Sequence, residues 1–189
     1  MVIDYLVKPE EALERLKEGN RRYVSSGGGI GDVSSARREQ TLTSQHPYAI
    51  IITCSDSRVI PEAIFSAGIG DLFVIRIAGN VIDDHQLGSI EYAADHLGSG
   101  LLVVLGHDHC GAVDAALHHE PNGYIKFITD EIVKAIGDER DEYKACCLNA
   151  VHSKNVIEKS LRIQADEREH GLKVVTAIYR LESGEVEFI

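Results

Sequence analysis

The chain has 189 residues, 44% of them hydrophobic and 26% charged, ordinary proportions for a soluble globular protein. That length supplies one hydrophobic core without disulfide staples. Thirty acidic residues against 19 basic ones give a formal charge of −11. This excess repels phosphate backbones and anionic headgroups, which excludes nucleic acid and membrane surfaces as partners.

The first predicted element is an amphipathic helix over 9–24. Pro9 suits a first helical position, and Ala12, Leu13, Leu16 and Tyr23 recur at near-helical spacing. The segment SSGGGIGD (25–32) ends that helix and makes a flexible connection. It lacks the Gly-Lys-Ser/Thr ending of a phosphate loop and follows no strand, so phosphate binding is not expected there. Three short apolar runs follow, YAIIIT (48–53), LFVIRI (72–77) and LLVVL (101–105), with KVVTAIY (173–179) as a fourth. They are rich in β-branched residues and bounded by Gly, Pro or Asp, as buried parallel strands are. Helical patterns separate them at 61–67, about 85–97, 111–118 and in several segments between 122 and 170. The tail LESGEVEFI reads as a turn and a short edge strand. Alternating strands and helices predict a single α/β domain over 1–189, with a mainly parallel sheet flanked by helices and an N-terminal helical arm (1–32).

No run approaches the ~18 apolar residues of a transmembrane span, and the first residues lack the apolar stretch of an export signal. The expected setting is therefore the cytoplasm, where the four cysteines stay reduced and thiolates bind metal more often than they pair.

Chemistry concentrates at two strand ends. CSDSR (54–58) places a thiol, a carboxylate and a guanidinium directly after the first strand. HDHC (107–110) supplies an imidazole and a second thiol after the third. In an open α/β sheet ligands gather beyond the carboxyl ends of strands, so both segments are expected at one edge. Cys54, His107 and Cys110 form a two-thiolate, one-imidazole set that suits tetrahedral zinc and leaves a fourth position open. Two thiolates neutralise the ion's charge, so water bound there keeps a pKa above the value of about 7 reached with neutral ligands, and activity is expected to climb above neutral pH. Asp56 is placed to accept a hydrogen bond from that water, and Arg58 to pair with Asp56 and hold it off the metal. The same residues also fit a closed structural zinc site with Asp56 as fourth ligand, or a plain turn-stabilising ion pair. Cys146 and Cys147 are adjacent on a predicted helix and read as buried or spare thiols. His46, His85, His109, His118 and His119 read as surface or capping residues, with His85 and His109 weak candidates for carrying protons.

CSDSR followed by GHDHCGAV, together with LFVIRIAGNVIDD (72–84) and LGSIEYAADHLG (87–98), closely resembles the β-class carbonic anhydrases. LERLKEGNRRY (13–23) and, more weakly, AIYRLESGEV (177–186) extend the resemblance over nearly the whole chain. The resemblance implies zinc-dependent, reversible hydration of carbon dioxide to bicarbonate and a proton, by attack of zinc-bound hydroxide. It implies that Cys54, His107 and Cys110 are the zinc ligands and that Asp56 and Arg58 are the catalytic and gating dyad. It also implies that Gln45, Phe73, Tyr92 and Gly111 meet the substrate. Members of the family are homodimers or homotetramers whose N-terminal helix embraces a neighbour, a role the glycine-rich segment would permit here by letting helix 9–24 swing away. One subclass has an inhibitory bicarbonate site with Trp three residues before the first cysteine; Ile51 stands there, although Arg76 matches its arginine, so that site is expected to be absent or altered. Two rivals remain at this level, a hydrolase of carbon disulfide or carbonyl sulfide and a non-catalytic zinc scaffold.

Overall fold

Five strands form one sheet in the order β2-β1-β3-β4-β5. The computed structural model describes residues 5–26, 29–118 and 121–189. Strands β1 (Ala49–Thr53), β2 (Leu72–Arg76), β3 (Leu101–His107) and β4 (Lys173–Tyr179) run parallel, and β5 (Val186–Phe188) closes the edge antiparallel to β4. Every residue of β1 and β3 is buried, which is why these strands read as unbroken Ile/Leu/Val runs rather than alternating ones. The expected fold class therefore stands: a single α/β domain with a mainly parallel sheet flanked by helices.

The helices are α1 (Pro9–Ser26), α2 (Ser35–Gln40), α3 (Pro61–Ile64), α4 (Asp84–Leu97), α5 (Gly111–His118), α6 (Ile125–Ile136), α7 (Glu142–Ile157) and α8 (Leu161–His170). Local chemistry sets their ends. Asp83 and Gln86 form a reciprocal capping box at the start of α4, and Gly98 ends it in a left-handed conformation. Ser160 caps α8, and Gly171 ends it in the same way. The side chains of the sheet sort by the two-residue period of a strand. Ile50, Ile52, Leu102 and Val104 pack with Ile90, Ala93 and Ala94 of α4 and with Ala150, Ile157 and Ile163 from α7 and α8. Ala49, Ile51, Leu101, Val103 and Leu105 pack on the other face with Ala12 and Leu16 of α1 and with Ile64 and Phe65 around α3. Each fully buried Ile or Leu contributes about 1.5–3 kcal/mol.

Two elements depart from expectation. Helix α2 is absent from the hydrophobic pattern because none of its six residues is buried. It forms on the Ser34 cap and on Arg37, which donates to the Ile69 carbonyl at 2.9 Å and pairs with Asp71 at 2.9 Å. Helix α1 does not swing away from its own sheet; it docks on it. Gly19 lies so close to α3 that a Cβ there would fall 1.8 Å from the Phe65 carbonyl oxygen. Asn20 donates to the carbonyls of Ile64 (3.2 Å) and Gly184 (2.8 Å) and accepts from the Val186 N–H (3.0 Å). A glycine for close approach and an amide that satisfies three backbone groups bind the helix in cis. Of the predicted glycine-rich connection, Gly27 and Gly28 lie outside the described residues.

One buried charge carries a stability prediction. Asp166 on α8 is fully buried, and neither carboxylate oxygen has a hydrogen-bond partner; Arg162 approaches at 3.4 Å but is held bidentate by Asp95. Burial, and next the Asp95 charge, push the Asp166 pKa up to about 6. An unfolded Asp titrates near ~3.9, so the folded chain keeps a proton that the unfolded chain releases between those values. Stability is then greatest below the unfolded pKa and falls as pH rises through about 6. Asp166→Asn removes that loss. It should stabilise the protein by ~1–3 kcal/mol at pH ~8, with the gain shrinking toward pH ~5. Urea unfolding at the two pH values checks this, and an equal change at both would place the effect in packing.

Candidate metal centre

Cys54 directly follows β1, and the ladder keeps going around it. The Ile77 N–H donates to Thr53 O at 3.1 Å and the Ser55 N–H to Ile77 O at 3.2 Å. Arg76, at the end of β2, donates to the carbonyls of Cys54 (3.2 Å) and Asp56 (2.6 Å), which clamps the CSDSR turn from behind. His107 is the last residue of β3, paired with Tyr179 of β4. Cys110 sits just before α5, after a sharp turn in which His109 takes a positive φ of 50°. The two strand ends thus converge. Cys54, His107 and Cys110 are 4%, 1% and 2% exposed, and their donor atoms all lie within 4.8 Å of one another.

Metal chemistry accounts for this cluster. The two sulfurs stand 4.0 Å apart, and two thiolates each ~2.3 Å from a tetrahedral zinc are separated by about 3.8 Å. His107 Nδ1 lies 2.7 Å from the Asp108 carbonyl. A carbonyl only accepts, so Nδ1 carries the proton and Nε2 presents a lone pair. That Nε2 is buried with no partner, a cost the fold sustains only if something else meets it. Cys54 Sγ accepts the N–H groups of Asp56 (3.4 Å) and Gly79 (3.3 Å). Hydrogen bonding with the Cys110 thiol, and then with these N–H groups, draws the Cys54 pKa down against burial, while contact with Cys54 and burial push Cys110 up. Gly79 is in the left-handed region (φ 65°), and a Cβ there would meet Ile132 at 2.8 Å, so only glycine turns its N–H onto the sulfur.

Beside the triad, Arg58 grips Asp56 with both arms, Nε to Oδ1 at 2.9 Å and a terminal nitrogen to Oδ2 at 2.8 Å, and also reaches the His109 carbonyl at 2.9 Å. Those hydrogen bonds hold the Asp56 pKa down to about 2. Asp56 Oδ2 nevertheless lies 3.9 Å from His107 Nε2, beside the triad.

The carbonic anhydrase family model matches residues 49–186, which hold all three candidate ligands together with Asp56 and Arg58. Carbonic anhydrase 2 of Mycobacterium tuberculosis is 44% identical over 133 residues, 68% of this chain and 64% of that protein, so the match spans just under two thirds of the relative. A tetrameric β-carbonic anhydrase from Sordaria macrospora superposes with a TM-score of 0.72 at 25% identity, over 82% of this chain and 89% of the other. The Coccomyxa β-carbonic anhydrase in complex with acetazolamide gives 0.70 at 26% identity, over 94% and 86%. The chain belongs to the β-class carbonic anhydrase family. Members of this family are zinc enzymes, and the triad here is positioned to bind that metal.

The other residues matched to the family fall in two places. Gly111, exposed at the start of α5, directly follows Cys110. Gln45, Phe73 and Tyr92 lie elsewhere. Gln45 is exposed ahead of β1, whereas Cys54 follows it, so five strand residues, about 16 Å, lie between them. Phe73 pairs with Ile50 near the same far end. Tyr92 on α4 stands 6.3 Å from Phe73, stacks on His96 and lines an open hollow with Gln45 and His46. It is 46% exposed. Within one chain, then, these three residues gather with one another and not with the triad.

The remaining candidates lie outside the metal-binding triad. His85 is exposed, and His109 faces Glu142 at 3.5 Å; His119 lies outside the described residues. Cys146 is buried against the metal cluster, and burial pushes its pKa up to about 12, which makes it an unreactive thiol. Residues that the sequence did not single out hold the site from behind. Asn149 of α7 donates to Gly79 O at 2.7 Å, and Asp108 bonds Arg180 and the Leu181 N–H. Only one signal pointed that way, a carboxylate lodged between two ligands in HDHC.

Proposed function

We propose that this protein catalyses the reversible hydration of carbon dioxide to bicarbonate and a proton, with one zinc ion per chain held by Cys54, His107 and Cys110. The observation that carries this reading is the orphaned lone pair of His107 Nε2 facing two buried sulfurs, beside a carboxylate held back by Arg58. When bound, zinc supplies a Lewis-acid charge and makes water a nucleophile near neutral pH. Asp56 accepts a hydrogen bond from the attacking water and orients it. Arg58 keeps Asp56 ionised and turned from the metal. Gly111, its backbone unshielded by a side chain, lets substrate approach next to Cys110.

Gln45, Phe73 and Tyr92 form the substrate pocket from a second copy of the chain. Their distance from their own triad supports this, and so do the exposed apolar side chains of Leu42 and Tyr92 at the hollow and of Ile60 two residues past Arg58. The working unit is thus a homodimer or a larger even assembly, with the tetrameric Sordaria protein as precedent. Its free cysteines suit the reducing cytoplasm, and among the described residues no helix is long and apolar enough to cross a membrane.

Stopped-flow hydration from pH ~6.5 to ~9, with zinc content and sedimentation measured on one sample, tests the reading. One zinc per chain, a dimer or tetramer and a rate that climbs with pH are expected. Full zinc with no hydration at any pH would defeat the proposal; sulfide release from carbon disulfide by that same sample would redirect it to sulfur substrates.

A further inference from the structure

Asp108 lies between His107 and His109 and is 6% exposed. It places a second carboxylate beside a centre already served by two thiolates, and all of its polar groups are engaged. Its N–H donates to the Tyr179 carbonyl at 3.2 Å, which carries the β3–β4 pairing one residue past the strand. Its carbonyl accepts a hydrogen bond from His107 Nδ1–H at 2.7 Å. Its carboxylate accepts the Leu181 N–H on Oδ1 at 2.9 Å and Arg180 Nε–H on Oδ2 at 3.0 Å. Arg180 in turn lies over the Tyr143 ring, 4.4 Å from its centroid, and reaches Glu187 of β5 at 3.4 Å.

The carbonyl of residue 108 sets which nitrogen of His107 faces the metal and in which plane the ring stands. The next residue, His109, has a φ of 50°. A non-glycine residue held there costs of order 1–3 kcal/mol, so the peptide needs restraint from outside the turn. The carboxylate ties to Arg180 and Leu181 supply it. We infer that Asp108 is a positioning residue: its ion pair with Arg180 anchors the 107–110 turn to the β4–β5 hairpin and thereby fixes the imidazole ligand. Groups that hold a metal-binding histidine by its far nitrogen commonly change metal affinity ~10–100-fold when removed. Here the hold passes through a peptide carbonyl instead of a carboxylate bonded directly to the ring. The inference rests on the triad being a metal site, and it extends that site to Arg180, 72 residues further along the chain.

The test measures zinc affinity by competition with a chromophoric chelator, and the visible spectrum of the cobalt(II)-substituted protein, alongside Tm. Asp108→Asn keeps an acceptor for Leu181 but loses the charge. Arg180→Ala removes the other partner from a side chain that is 36% exposed. Each should weaken zinc binding about 10–100-fold and shift the cobalt bands. The double variant should bind no worse than the weaker single one, and Arg180→Lys should recover part of the loss. Glu187→Gln, at the outer end, should leave affinity within about twofold of the parent. A merely structural ion pair would lower Tm and leave affinity and cobalt spectrum at parental values, which would overturn the inference. If Asp108→Asn does not fold, Arg180→Ala decides by the same readings. A parent chain that binds no zinc overturns the metal reading and this inference together, whereas a zinc-binding parent with unmoved variants overturns the inference alone.

Discussion

A His107→Ala chain is expected to bind zinc about 10²–10⁴-fold more weakly than the parent and to hydrate carbon dioxide no faster than buffer does. Zinc sites of small domains bind with roughly 10–16 kcal/mol, and one ligand in three carries ~3–5 kcal/mol of that. The remaining thiolates cannot recover it, because Asp56, the nearest further donor, is held by Arg58. The substitution also opens a cavity at a residue 1% exposed, so some stability is lost with the metal. Cys110→Ser separates the two effects, since the hydroxyl nearly preserves volume but gives zinc a poor ligand. Both variants should lose zinc and turnover together, while Cys110→Ser unfolds at nearly the temperature of the metal-free parent. Zinc titration of both proteins, with Tm measured without metal, checks this. Retention of parental zinc affinity in Cys110→Ser would remove that thiol from the ligand set.

The ligands were legible in the sequence because the fold presents them in the simplest way. Continuous β-branched runs announce buried parallel strands, and Cys54 and His107 stand where two of those strands end. A reader of the sequence needs only the rule that such ends share one edge. The arrangement of Asp56 and Arg58 was legible for the same reason, being local: their bonds span two residues. What the sequence concealed is held by partners far apart along the chain. Asn20 meets Gly184 across 164 residues, and that amide, with Gly19, keeps α1 on its own sheet. Asp108 meets Arg180 across 72. Helix α2 has no buried side to leave a period in the pattern. The separation of Gln45, Phe73 and Tyr92 from the triad was hidden for another reason. Family motifs place residues along one chain, whereas a pocket that two copies share, as proposed above, leaves no signature in the order of residues.

Arg58→Ala should show the reverse of ligand loss, with zinc kept and turnover reduced about 10²–10⁴-fold, the range associated with a positioned acid–base group. Arg58 is the only group described that grips both oxygens of Asp56, and its own side chain is 53% exposed, so its removal disturbs little packing. Once released, the carboxylate starts 3.9 Å from His107 Nε2 and faces a cation. Capture as a fourth ligand is favourable, since charge and distance both drive it and no ion pair remains to oppose it. Zinc affinity should therefore hold or rise while the position needed by substrate is taken. Asp56→Asn should also keep zinc and lose most turnover, for a different reason, because a neutral amide neither holds water in the same sense nor competes well for the metal. The double variant tells the two apart. If capture by Asp56 is what silences Arg58→Ala, adding Asp56→Asn should return the cobalt(II) spectrum to that of the Asp56→Asn chain and cost no further activity. Parental turnover in Arg58→Ala would show that Asp56 holds its place unaided, through its remaining bond to the residue 58 backbone N–H at 2.9 Å.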